Sequence, residues 1–315
     1  LLRGLKQYTT NLTAIVTVAD DGGSSGRLRR ELGVLPPGDV RNCIAALADA
    51  EPLVTRLFQH RFSEGLGLAG HSFGNLFIVA MSEVTGNFEE AIRQTSRVLA
   101  VRGQIIPSTL ANVTLCARTD EAITLEGEST ITGREFKGRI TEVFLLPANP
   151  PATPEAVRAI LDADLIVLGP GSLYTSVMPN LLVEGIRKAI IASPATKVYV
   201  CNVATQPGET DGFDVADHLS TLENHMKQHV ITHVIANSNV KGQLPPSARG
   251  EPVKLDGISS NGIRLIKADV VSEENRYHHD PAKLAQTLMR VYYERNQQGE
   301  IVEMQDESKL VGALD

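Results

Sequence analysis

Ala163-Asp164-Leu165-Ile166-Val167-Leu168-Gly169-Pro170-Gly171-Ser172-Leu173-Tyr174-Thr175-Ser176 decides how the rest of the chain is read. Leu165 to Leu168 are four consecutive apolar residues, two of them β-branched, the length and character of a strand buried on both faces. The run stops at a Gly-Pro-Gly turn, and hydroxyl residues follow where a helix would start. The same unit recurs on either side. Upstream, Thr153-Pro154-Glu155 offers an N-cap, a proline at the first helical position and an acid in the first turn, for a helix through Val157, Ile160 and Leu161. Downstream, Leu182, Ile186, Ala189 and Ile190 share one helix face; Lys197 to Cys201 reads as a strand, Val215 to Lys227 as a helix and Val230 to Asn237 as a strand. Strands alternating with helices of this length require parallel pairing with helices on both faces.

Working outward, Leu12 to Ala19 is a further buried strand, and Pro36-Pro37-Gly38-Asp39 opens a helix with Val40, Ile44, Leu47 and Ala48 on one side. Asn87 to Val101 reads as a helix capped by Asn87, with Glu90 closing a capping box. Residues 103–146 change character: short β-rich pieces (Val113 to Ala117, Ala122 to Leu125, Ile140 to Leu146) separated by Gly, Asp and Thr predict a hairpin excursion. Pro147 to Pro154 holds four prolines and is a rigid connector. His278-His279 precedes a helix capped by Asp280-Pro281, whose Leu284, Leu288 and Val291 read as core. The expected fold is α/β, a doubly wound, mostly parallel Rossmann-like sheet. Residues 1–296 form a single nucleotide-binding domain with a β-rich insertion at 103–146, and 297–315 form a polar tail.

Composition narrows the function classes. Of 315 residues, 42% are hydrophobic and 21% charged, which excludes a disordered or fibrous chain. The longest apolar runs, such as Leu76 to Met81, fall far short of the roughly 18 residues that cross a bilayer. Arg3, Lys6 and Gln7 break any signal-peptide pattern. A net charge of −7 argues against broad nucleic-acid binding. Three dispersed cysteines, Cys43, Cys116 and Cys201, fit a reduced, cytoplasmic protein.

In an open parallel sheet the ligand crevice lies beyond the carboxyl ends of the strands. Four segments there are rich in small polar residues. Asp20-Asp21-Gly22-Gly23-Ser24-Ser25-Gly26 follows the first strand; its acids suit a divalent cation or a sugar hydroxyl, and its small residues allow close backbone approach. Gly169-Pro170-Gly171-Ser172, with Thr175, has the strand–turn–helix layout that turns N–H groups and a helix dipole toward phosphate. Asn202 to Thr210 places Asn202, Gln206, Glu209 and Thr210 to read a hydroxylated or heterocyclic ligand, although Thr210 or Asp211 also suits a helix cap. Gly70-His71-Ser72-Phe73-Gly74-Asn75 offers His71 as an acid–base group beside Ser72 and Asn75. Gly38-Asp39-Val40-Arg41-Asn42 adds a helix-capping Asp39, Arg41 for phosphate charge, and Asn42. Each loop alone has a plain structural account as a turn or a cap. Together they describe one site the size of a nucleotide or phosphoester. There is no Gly-x-Gly-x-x-Gly for a dinucleotide oxidoreductase, no Gly-x-Ser-x-Gly elbow and no zinc-ligand spacing.

These segments, VTVADDGGSSGRLR (16–29), PPGDVRNCIAAL (36–47), LFQHRF (57–62), GHSFGNLFI (70–78), ADLIVLGPGSLYTSVMPNLL (163–182) and CNVATQPGET (201–210), resemble the YvcK-like gluconeogenesis factors. That family is a branch of the CofD-like superfamily, which includes the phospho-lactate transferases. The resemblance covers Leu1 to about Glu294. It implies a cytoplasmic homo-oligomer that binds a nucleotide sugar of the UDP-N-acetylglucosamine type and is needed for gluconeogenic growth, cell shape and cell-wall synthesis. Turnover is not expected, since no nucleophile–base pair is recognisable, and the regulated protein partner is not identified. The alternative is a metal-dependent phosphoester transferase in which Asp20 and Asp21 hold Mg2+ or another divalent cation. In either case the Asp20-Asp21 and Gly169 to Ser172 loops line the ligand. The family also opens with a strand and a Gly-Gly-Gly-Thr-Gly loop before the residues matching Leu1 to Lys6, so a further phosphate cradle is expected upstream.

Overall fold

The computed structural model describes residues 1–133, 138–241, 244, 250–256 and 262–294. The expected polar tail, 297–315, lies outside the described residues. In chain order the elements are α1 (Leu2–Leu5), β1 (Thr13–Val16), α2 (Gly23–Leu32), α3 (Gly38–Leu47), α4 (Pro52–Gln59), α5 (Phe73–Thr85), α6 (Phe88–Val98) and β2 (Gln104–Pro107). Then come β3 (Thr114–Thr119), β4 (Thr124–Glu126), α7 (Glu128–Gly133), β5 (Ile140–Leu146), α8 (Pro154–Leu161) and β6 (Leu165–Leu168). A π-helical turn at Leu173–Val177 leads into α9 (Met178–Leu181), α10 (Glu184–Ala192), β7 (Thr196–Val200), α11 (Val215–Met226), β8 (His233–Asn237) and β9 (Arg264–Ala268). A last helix, α12, covers 281–294.

Strands β6, β7, β8 and β9 pair in that order, all parallel, with Leu168 opposite Tyr199 and Ile235 opposite Ile266. The sheet is covered on both faces. Tyr199 of β7 joins the core shared with α8, α10 and α11, while Val198 and Val200 join Leu284, Leu288 and Val291 of α12 on the other side. Alternate side chains of one strand therefore enter two cores, which is why these strands are apolar throughout. This is the expected doubly wound α/β architecture.

β1 pairs in parallel with β2, Thr13 opposite Gln104. The opening strand of the 103–146 stretch thus extends a parallel ladder, and the antiparallel piece is narrower: β3 lies between β4 and β5. Among the described residues β1 pairs only with β2 and β6 only with β7. Between their free edges runs a cleft of about 1100 Å3, walled by Leu12, Val16, Ile166, Leu168 and Leu288 and reaching Asp39, Asn42 and Gly169 to Gly171.

The helix ends show where local chemistry was readable. Asn87 caps α6, its side chain accepting the Glu90 N–H at 2.7 Å. The expected box closes in that direction only, because the Glu90 carboxylate takes Arg93 and Gln94 instead. Thr153 stands at the N-cap of α8 without a side-chain capping bond. α11 is capped not by Thr210 or Asp211 but by Asp214, in a reciprocal box with Asp217 at 2.8 and 3.1 Å. Asp39 lies inside the first turn of α3, behind Pro37 at the cap position, rather than capping it. No helix among the described residues is long and apolar enough to cross a membrane, and Cys43, Cys116 and Cys201 are all unbridged.

Candidate functional site

The loop after β1 is held by its own carboxylates. Asp20 Oδ1 accepts the Gly22 N–H at 2.8 Å, a tight turn that starts α2. Asp21 turns the other way, and its Oδ1 accepts the Ser129 N–H at 2.8 Å, across 108 residues of sequence. That crossing needs a glycine at 127. Gly127 has φ +92°, and a Cβ there would stand 2.0 Å from Asp21 Oδ2. Ser24 and Ser25 are buried beneath the loop. Ser24 Oγ meets His71 Nδ1 at 3.0 Å and accepts the Ser72 N–H at 3.3 Å, while Ser25 Oγ accepts from Asn75 Nδ2 at 3.4 Å. The Gly70–Asn75 segment is thereby fastened to the start of α2.

His71 is 4% exposed, and burial together with Arg27 and Arg61 holds its pKa below the ordinary value against the pull of Glu31. At neutral pH it is an uncharged ring tied to a buried serine. Ser72 Oγ and Asn75 Oδ1 are buried and have no hydrogen-bond partner among the described residues. On α3, Arg41 donates to Asn42 Oδ1 at 2.7 Å, and its Nε is another buried atom without a partner.

The loop after β6 is satisfied differently. Ser172 caps the π-helical turn: its Oγ accepts the Thr175 N–H at 3.2 Å and the Thr175 hydroxyl at 2.7 Å, and donates to Glu209 Oε2. Thr175 is buried, and Gly169, Pro170, Gly171 and Ser176 form the cleft-side surface of this loop. Gly169, at φ +84°, passes within 2.9 Å of the Val200 carbonyl oxygen at its Cβ position, which closes the loop on β7. The loop after β7 is internally bonded: Asn202 Nδ2 donates to Gln206 Oε1 at 3.2 Å, and the Gln206 N–H to Thr210 Oγ1 at 2.9 Å. Thr210 is fully buried and acts as a brace for Asn202 and Gln206.

Electrostatics join these loops into one site. Burial, and then the negative charge of Asp39, Asp20, Asp21 and Glu209, pushes the Glu128 carboxyl up to about 8. Burial and Asp20, opposed by Arg41, push Asp39 up to about 6. Five carboxyl groups from four segments thus meet in one field, centred on Glu128. Near pH 7 Glu128 retains its proton and Asp39 is largely ionised. Glu128 Oε2 is buried and has no hydrogen-bond partner among the described residues. Glu128 was not among the residues expected from sequence. Its only local signal is Gly127-Glu128-Ser129 at the end of β4, in a stretch read as a hairpin connection.

A cation fits this arrangement poorly. Asp20 and Asp21 face different loops, and no group of three or more His, Cys, Asp or Glu side chains among the described residues is arranged to hold a metal ion.

The family model described as 2-phospho-L-lactate transferase CofD matches residues 1–271. The Bacillus subtilis protein named Gluconeogenesis factor is 47% identical over 296 residues, covering 92% of this chain and 93% of that protein. A relative from Nostoc sp. is 52% identical over 301 residues, covering 93% of this chain and 66% of that protein, so the chain spans about two thirds of its length. The crystal structure of a upf0052 family protein from Bacillus halodurans superposes with a TM-score of 0.85 at 43% identity, covering 92% of this chain and 94% of that one. With its sheet, its polar strand-end loops and this match over most of its length, the chain belongs to the CofD family, among the gluconeogenesis factors.

Proposed function

We propose that the chain is a nucleotide-sugar-binding regulatory protein of the UDP-N-acetylglucosamine type, serving gluconeogenic growth, cell shape and cell-wall synthesis without turning its ligand over. The observation that carries this reading is the junction of the strand-end loops. Ser172 is bonded to Glu209, and Glu209 shares the field at Glu128 with Asp20, Asp21 and Asp39. A phosphate-sized donor loop beside a set of carboxyl acceptors suits a ligand with phosphoryl groups at one end and hydroxyls at the other. His71 supports binding over chemistry, being buried against Ser24 rather than facing the crevice as a free base. The upstream strand implied by family resemblance belongs to this proposal. A strand entering between the free edges of β1 and β6 would complete both ladders and bring its glycine loop to Gly169 to Gly171. Cytoplasmic location and homo-oligomeric assembly are part of the same reading.

The test is the melting temperature with UDP-N-acetylglucosamine, GDP and NADP, each with and without Mg2+. A ligand at about 100 times its Kd stabilises by about 2.7 kcal/mol. A rise with the UDP-sugar that ignores Mg2+, with the ligand recovered intact, supports the proposal. Hydrolysis or transfer at a steady rate sinks it.

The match to the CofD model favours a second reading, phosphoester transfer. Asp20 and Asp21 diverge toward Gly22 and Ser129 rather than converging on one point. A guanine-nucleotide response that requires Mg2+ would move the assignment to it.

A further inference from the structure

We infer that the crevice has a second anion-binding end, where the guanidinium groups of Arg27, Arg41 and Arg61 surround the start of α5 and hold a phosphoryl group. The inference deepens the nucleotide-sugar reading; it rests on that reading for the identity of the ligand, though not for the charge of the group bound.

Three observations converge. First, the arginines meet on one loop. Arg27 Nη2 donates to the Ala69 carbonyl at 2.7 Å and Arg61 Nη1 to the Gly70 carbonyl at 2.6 Å. The Arg41 stem packs on the first turn of α5, its Cδ 2.9 Å from where a Cβ on Gly74 would stand, while its Nη2 donates to Asn42 Oδ1. The groups feel one another: Arg61 contributes to lowering the pKa of Arg41, and Arg27 and Arg61 both contribute at His71. Second, no carboxylate lies within ion-pair distance of any of the three among the described residues, and Arg27 and Arg61 spend their donors on backbone carbonyls instead. Asp39 and Asp20 act on Arg41, and Glu31 on His71, from beyond pairing distance. Third, α5 starts with its cap unmade. Ser72 makes no side-chain capping bond and no acid stands in the first turn, although the helix runs for 13 residues. Ser72 Oγ and Arg41 Nε are both buried without partners.

Each of these has a cost that one ligand group removes. Three guanidinium groups around a helix N-terminus repel one another and the helix dipole unless an anion sits among them. A tetrahedral dianion matches planar, forked donors better than a single carboxylate does. α3 carries Arg41 between this end and the cleft, where Asp39 and Asn42 line the same wall as Gly169 to Gly171. A ligand with phosphoryl groups could therefore be gripped from both sides of the carboxyl set.

Inorganic phosphate is the probe, with its Kd read from melting temperature at low salt. In Arg27→Gln/Arg61→Gln the Kd should rise at least tenfold and lose most of its salt dependence. Arg27→Lys/Arg61→Lys should recover part of the affinity, and Arg93→Gln, an ion-paired surface residue on α6, should change nothing. Should the double Gln variant fail to fold, Arg61→Gln alone, at an exposed position, should weaken phosphate about threefold. Phosphate binding unchanged in the Gln variants overturns the inference. UDP-N-acetylglucosamine bound equally by the wild type and the Gln pair overturns it while leaving the proposed function intact. Phosphate that needs the arginines in a protein indifferent to UDP-sugars has the opposite meaning.

Discussion

The loops after β1 and after β6 are both glycine-rich and both close a parallel strand, yet their polar groups are in opposite condition. After β6, Ser172 gathers Thr175 and Glu209 into a set of hydroxyl and carboxylate bonds. After β1, Asp20 and Asp21 share a field with Asp39, Glu128 and Glu209, and burial first, then that like charge, raises the proton affinity of Glu128 and Asp39. The loop after β6 is closed by its own side-chain bonds. The other is left with a surplus of like charge, which a protein tolerates chiefly where a ligand or a proton relieves it.

The largest test of that difference is pH. Glu128 is raised from an ordinary 4.5 to about 8, so the folded protein binds more protons than the unfolded chain between those values. Stability must therefore fall as pH rises through that window, by on the order of 5 kcal/mol if Glu128 acts alone. Glu128→Gln should flatten the slope in urea titrations run from pH 5 to 8. An unchanged slope would mean that Glu128 does not carry the raised proton affinity assigned to it. Next in size, Gly127→Ala presses a Cβ into Asp21 Oδ2 at a left-handed φ and should cost about 3 kcal/mol, read from the urea midpoint. Ser172→Ala probes the finished loop. Removing a donor to buried Glu209 should cost about 2 kcal/mol and weaken any phosphate-bearing ligand. A cost near zero would erase the contrast between the loops. Smallest is Asn87→Ala, remote from both, which should cost about 1 kcal/mol through the lost cap and leave ligand binding unchanged.

Much of the second half was legible because its signals are local. Leu165 to Leu168 announce a buried strand by composition, and Gly169 to Ser172 announce the turn by residue type. The first half was less so. β2 resembles the hairpin strands that follow it, and nothing within four residues says that it pairs with β1 ninety residues upstream. Glu128 was missed for the same reason. Its role comes from Asp21 and Asp39, which only the folded chain brings near. Thr175 and Thr210 illustrate the converse: a hydroxyl in a ligand loop reads as a ligand group, whereas here both are buried braces for their neighbours.

The bond from the Ser129 N–H to Asp21 also bears on the order in which the molecule assembles. The carboxyl set and the serine bonded to it draw on residues 20, 39, 128, 172 and 209, and local structure brings none of them together. Closing such long loops is entropically expensive before the contacts reward it, so these meetings come late in folding. Helix content should return early on refolding, while the capacity to take up ligand lags behind it. A stopped-flow trace of far-ultraviolet dichroism against uptake of UDP-N-acetylglucosamine, the proposed ligand, would time the gap between forming the elements and bringing these distant segments together.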